Sequence, residues 1–284
     1  MADPEQFNSD QLAFWNGSGG HTWVARQAHT EMILAPVSAA LLALAAPRAG
    51  ERVLDVGCGC GASTLEFARI VGPAGRVVAL DISGPMLADG EARAEAAGIA
   101  NIDWRQADAA TAALGEFDLL TSNFGLMFFA EPVAAFAHMR RAASPDARMA
   151  FVCWRSLSEN PWMQVPMRAV SPHVPPRPKA DPRAPGMFAF ADPQRVSQIF
   201  TAAGWAPPRL DKFDCDLDIA AGRGLEEAVV QATQIGAVNS WLRGQPADVV
   251  TAAVASVREA FAAHLDGASV RLPGAMWLVS STPA

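Results

Sequence analysis

The 284 residues include no tyrosine, so no phenol can serve as a general base in whatever chemistry the chain performs. Cysteine is scarce: Cys58, Cys60, Cys153 and Cys215 show no disulfide framework, and two of them flank a single glycine, where a bridge would be strained. Reduced thiols in a cytoplasmic setting are the expectation. Zinc is disfavoured as well, because Cys153 and Cys215 lack the paired spacing of soft ligands, and no metal site is expected. Lys and Arg number 22 against 29 Asp and Glu, for a formal charge of -7, with no basic run longer than Arg140-Arg141. A nucleic-acid partner needs a basic footprint that is missing here. The first residues, "MADPEQFNSD", have acids where a secretory leader would place bases. The most apolar early stretch, Val37 to Ala46, lies between Pro36 and Pro47 and falls short of the about 20 residues of a membrane span.

What the chain does have is 51% hydrophobic and 18% charged residues, the composition of a globular protein with a sizeable core. From Arg52 onward apolar strands alternate with amphipathic helices. Strands are expected at 52–57, 76–83, 101–108, 117–125 and 148–154, and helices at 62–72, 85–98 and 132–143. This amounts to five strand–helix units in about a hundred residues, an α/β doubly wound open sheet. Residues 1–46 read as a helical cap and 47–284 as the main domain. Within it, 155–191 is too rich in proline for a helix and reads as a long loop or lid. Residues 223–265 form a helical insertion before a last strand at 274–281.

"VLDVGCGCGAS", Val53 to Ser63, sets Gly57, Gly59 and Gly61 where a strand turns into a helix. Glycine alone combines freedom at positive φ with room for a ligand against the backbone, and the helix start beyond offers unpaired N–H groups. Gly57-x-Gly59-x-x-Ala62 also meets the loose dinucleotide fingerprint. Asp55 argues otherwise, since a carboxylate there repels a pyrophosphate and attracts a cationic sulfonium with an amino group. Asp81, about twenty residues beyond the last glycine, can accept both ribose hydroxyls. Asp108 can accept from an adenine amine. Three acids at the carboxyl ends of successive strands follow the edge where open α/β sheets bind ligands.

These residues resemble the class I S-adenosylmethionine (SAM)-dependent methyltransferases. "VLDVGCGCGAS", "VVALDISGPML", "WRQADA" and "FDLLTSNFGLMFF" are similar to that family's successive motifs, over Arg52 to Trp154. "SNFGLMFF" is most similar to the branch of ubiquinone/menaquinone C-methyltransferases and bacterial small-molecule methyltransferases. The resemblance implies SAM as cofactor, S-adenosyl-L-homocysteine as product, and a Rossmann-like sheet of about seven strands with the last antiparallel. It implies that Asp55, Gly57, Gly59 and Gly61 face the methionine half, Asp81 the ribose, Ile82 the adenine and Asp108, with Ala109 beside it, the adenine amine. Met86 and Asn123 complete the expected cofactor contacts, and N-terminal helices often cover the cofactor in this family. Pro145-Asp146-Ala147 departs from the family's Pro-Gly-Gly turn.

Methyl transfer is an in-line displacement, in which the protein mainly orients the nucleophile. None of the five histidines stands in a context that marks a base, and no catalytic residue is assigned. Trp15, His21, Phe124, Trp154 and Trp162 are the candidates for a pocket that takes a small apolar or aromatic acceptor. No Asn-Pro-Pro-aromatic run follows the fourth strand, which argues against methylation of adenine in DNA. A non-catalytic SAM-binding sensor or partner subunit would keep the same acids and glycines, and an NAD-dependent oxidoreductase is the less favoured third reading. Oligomeric state is not legible in the sequence.

Overall fold

The computed structural model describes residues 4–177 and 181–284; positions 1–3 of the expected cap and 178–180 of the expected lid lie outside them. Five parallel strands follow the expected order: β1 (Arg52–Val56), β2 (Arg76–Asp81), β3 (Ile102–Gln106), β4 (Phe117–Asn123) and β5 (Ala143–Trp154). Further along come β6 (Arg209–Asp218), a two-residue β7 (Leu265–Asp266) and β8 (Ser269–Ser281). The sheet runs β3-β2-β1-β4-β5-β8-β6, and β8 is antiparallel to both its neighbours. Central strands such as β1, buried after its first residue, read as unbroken apolar runs because helices cover both faces of a parallel sheet.

Helix α3 (Ala62–Val71) ends at Gly72, and α4 (Gly84–Ala96) starts at Ser83, whose side chain accepts from Met86 N. Pro85 and Pro132 occupy first turns, the latter of α5 (Pro132–Ala142), where a missing N–H costs nothing. These signals are local, and the boundaries of these three helices agree with expectation to within two residues, whereas β5 begins five residues before the expected Arg148. The connection from β3 to β4 departs from the expected units: residues 107–116 contain no helix. At Pro145-Asp146-Ala147 the chain bulges within β5, since Phe117 pairs with Ala143 while Leu119 pairs with Arg148.

The cap is α1 (Pro4–Asn16) followed by α2 (Ser18–Ala45), which runs straight through Pro36. Its most apolar stretch has mean hydropathy 1.5, so by length and composition α2 could cross a membrane, contrary to the shorter stretch read from the sequence. In the fold, Ile33, Val37, Leu41 and Ala45 recur at helical spacing and are buried, and α2 packs on β4, β5, β6 and β8.

The proline-rich segment is also more regular than expected. Residues Pro161–Val170 form α6, with Pro161 at its first position and Pro166 inside. Asn160 holds the segment to the sheet: its amide donates to Arg155 O, Ser156 O and Ala275 O and accepts from Ala275 N. Helix α7 (Pro193–Ala202) and β6 fill a region left unassigned from the sequence, and β8 begins five residues before the expected Gly274. The insertion between β6 and β8 consists of α8 (Leu225–Gln234), α9 (Gly236–Leu242) and α10 (Ala247–Ala262).

Candidate functional site

The carboxyl ends of the parallel strands bring the glycine turn, the three acids, Phe124 and Trp154 to one edge. Gly57, Gly59 and Gly61 all have positive φ, at 67°, 56° and 79°. Gly57 N and Cys58 N both donate to Leu80 O of β2, at 2.8 and 3.1 Å. A Cβ on Gly57 would stand 2.8 Å from Gly125 Cα, so the turn after β1 and the turn after β4 meet backbone to backbone.

Asp81 ties the glycine turn to the start of α4. Its Oδ2 accepts from Gly59 N and its Oδ1 from Ser83 N, each at 2.8 Å. Burial pushes its carboxyl up, against the pull of these N–H groups. Asp108 lies two residues beyond β3 and accepts from Ala110 N at 2.8 Å, with Ala109 buried beside it. Ile82 offers its carbonyl to Asn16 Nδ2 and Gln106 Nε2, and buried Met86 lies under Gly59.

Asp55 is fully buried, and its Oδ2 accepts from Thr64 at 2.6 Å and Ser63 at 3.3 Å, both on α3. Oδ1 has no partner. Asp55 pairs in register with Thr121, and Asn123 follows two residues on, so all three side chains share one face. Thr121 Oγ1 and Asn123 Oδ1 are also buried without partners, while Asn123 Nδ2 donates to Ser38 of α2. Three orphaned oxygens beside the glycine turn suit a cationic ligand that carries N–H groups.

Burial raises the Asp55 carboxyl from 3.8 to about 6. A carboxyl raised by folding stabilises the fold below its unfolded value and loses that contribution as pH rises through the folded one. Between about pH 3 and pH 7 the ligand-free protein is therefore expected to lose about 3 kcal/mol relative to Asp55→Asn, measured by urea unfolding of both chains. A pH-independent difference between them would show that Asp55 ionises normally.

The acceptor candidates divide into two groups. Phe124, at φ 65°, stacks face to face on Trp154 at 4.3 Å and 10°. Trp154 in turn lies 4.8 Å from Trp162, whose Nε1 donates to Asn160. Trp15 belongs to a separate edge-on cluster with Phe14, Trp23 and Phe128. His21 is exposed on the first turns of α2.

Sequence reasoning missed how the cap docks. Asn16 and Ser83 join the α1–α2 elbow to the loop after β2. Glu31 of α2 pairs with Arg93 of α4, which also donates to Cys60 O of the glycine turn. Further along, Arg26 reaches Gln231 and Glu227 of α8, and buried His29 bonds Ile219 O at the end of β6. Burial holds the His29 ring below its usual value, and the Ile219 carbonyl opposes this. The cap thus leans on α4 and α8, whereas His173 of the proline-rich segment bonds Ser256 of α10. No local pattern marks these pairs, because each joins residues distant in sequence.

Comparison with known proteins places this geometry in context. A family model described as a methyltransferase domain matches residues 53–146. The chain is 34% identical over 202 residues to nocamycin O-methyltransferase of Saccharothrix syringae, covering 67% of this chain and 71% of that protein. It is 39% identical over 109 residues to the ubiquinone/menaquinone biosynthesis C-methyltransferase UbiE of Pseudomonas putida, covering 37% of this chain and 43% of that protein. The YcgJ protein of Bacillus subtilis has the same fold, with a TM-score of 0.55 at 18% identity over 87% of this chain and 97% of that one.

Proposed function

The chain belongs to the class I SAM-dependent methyltransferases, and from that premise we propose that it methylates a small apolar or aromatic molecule without the help of a metal. The carrying observation is the Phe124–Trp154–Trp162 stack at the edge that bears the glycine turn. SAM, when bound, supplies a methyl group on a cationic sulfur that a nucleophile displaces in line. The orphaned oxygens of Asp55, Thr121 and Asn123 would hold its N–H-bearing methionine end. Asp81 and Ile82 would face its nucleoside, with Asp108 and Ala109 at the adenine.

The aromatic wall would align a flat acceptor and exclude water, so that orientation supplies most of the rate. Anchoring fits this role: Trp154 is 3% exposed and Trp162 is pinned by Asn160, while half-buried Phe124 forms the outer ring. Similarity to an O-methyltransferase and to a C-methyltransferase supports a small-molecule acceptor and leaves the accepting atom to experiment. The net charge of -7 argues against nucleic acid. Among the described residues no group of three His, Cys, Asp or Glu side chains could hold a metal ion. The cap at 1–46, the segment 155–191 and the insertion 223–265 would together form the roof of this site.

Labelled SAM offered with a panel of phenols, quinols and polar aliphatic acids tests the proposal. Methyl transfer is expected to the aromatic members only and to be unchanged by EDTA. Phe124→Ala should raise the acceptor KM about three- to tenfold, the value of one aromatic contact, with SAM affinity intact. Transfer to polar acids, or loss of turnover on chelation, would refute this reading.

A further inference from the structure

We infer that Asn16, at the elbow between α1 and α2, is a positioning residue for the methyl donor. Its side-chain amide is fully committed. Nδ2 donates to Ile82 O at 2.8 Å and to Leu12 O at 2.9 Å, while Oδ1 accepts from Gly84 N at 3.0 Å and Gln106 Nε2 at 2.9 Å. Two of these partners, Ile82 and Gly84, flank Ser83, whose own N–H holds Asp81 Oδ1. The Ser83 hydroxyl donates to Trp15 O at 2.6 Å, so both residues of the elbow grip the same turn.

The approach is close enough to dictate a neighbouring residue. A Cβ on Gly20 would strike Trp15 O and stand 2.8 Å from Ser83 Oγ. Ser83 itself is fully buried. The Asp81 carboxylate is therefore held on one side by the glycine turn and on the other by Ser83, whose turn is gripped by Asn16 and Trp15 of the cap. If the turn holds the donor's nucleoside, cap docking and donor binding are linked, and linkage between two equilibria is reciprocal. Asn16 stabilises the bound form without touching the reacting atoms. The inference rests on the reading of Asp81 and Ile82 as nucleoside-facing.

Calorimetry with S-adenosylhomocysteine and with 5′-methylthioadenosine, which shares only its nucleoside half, separates the possibilities. Asn16→Ala should weaken both ligands by the same factor, about tenfold or more, because four hydrogen bonds that fix the turn are lost together. Gln106→Ala, at an exposed position that does not threaten folding, should weaken both by a smaller factor. Saturating S-adenosylhomocysteine should protect α1 and the start of α2 from protease in the wild type and not in Asn16→Ala. A lowered melting temperature with both affinities unchanged would reduce Asn16 to a structural role and overturn the inference. So would weakening of S-adenosylhomocysteine alone. Asp81→Ala serves as the control: if it binds both ligands normally, the nucleoside site itself is misassigned, a failure distinct from that of the role given to Asn16.

Discussion

Asp81→Ala is expected to bind SAM at least about a hundredfold more weakly than the wild type. In the ligand-free fold each carboxylate oxygen already takes one backbone N–H, from Gly59 and from Ser83, and each retains a lone pair for a ribose hydroxyl. Hydrogen bonds to a charged acceptor contribute about 1.5–3 kcal/mol apiece. Losing two of them costs about 3–6 kcal/mol, and every 1.4 kcal/mol or so is tenfold. The substitution also frees Gly59 N, so the glycine turn loses one of its three bonds to β2. Asp81→Asn keeps one acceptor but turns an amide N–H toward a backbone N–H, and should fall between the two. Titration calorimetry decides, and an affinity within threefold of wild type would place the ribose elsewhere.

The largest effect on stability is expected from Gly57→Ala, at about 2–5 kcal/mol. Two costs combine there. An L-residue at φ 67° is strained, and its Cβ would press on Gly125 Cα at 2.8 Å. Neither glycine can yield easily, because Gly57 N is bonded to Leu80 O and Gly125 N to the Ser122 hydroxyl. Gly98→Ala isolates the first cost: Gly98 has the same φ of 67°, and a Cβ there would meet nothing within 4 Å. That variant should lose only about 1–2 kcal/mol. Urea unfolding of the two proteins measures the difference, and equal losses would mean that the Gly57–Gly125 contact relaxes without resistance.

The parts of the fold that were legible in the sequence share a physical basis. β1, β2 and β4 are buried on both faces and announce themselves as apolar runs, and α3, α4 and α5 have proline or glycine at the ends where those residues fit. The misreadings come from treating proline as a breaker at every position. Pro36 and Pro166 each sit within a helix held by tertiary packing, which outweighs the lost hydrogen bond. β6 did carry a signal, since Phe213, Cys215 and Leu217 alternate with Asp214, Asp216 and Asp218, the period of a strand. At the site, the glycines and acids could be read because each lies at the end of its own strand. Asn16, Thr121 and Gln106 could not, because their significance depends on which distant atoms they meet. Phe124 takes a positive φ next to Gly125, where a Cβ would stand 2.6 Å from Val56 O and 2.9 Å from Gly57 Cα, and no local preference of phenylalanine would suggest it.

The unbroken course of α2 has a mechanical consequence. At 1.5 Å per residue, its 28 residues make a rod of about 42 Å, bedded in the core at one end and bearing the ion pairs with α4 and α8 at the other. Proline has no N–H to offer the carbonyl four residues before it, so Met32 O goes without its helical bond at Pro36. Contacts on both sides span that gap: Val37, Leu41 and Ala45 are buried beyond it, while Arg26, His29 and Glu31 before it bond to α8, Ile219 O and α4. Held in this way at both ends, α2 is a brace that ties α4 and α8 to the strands of the core.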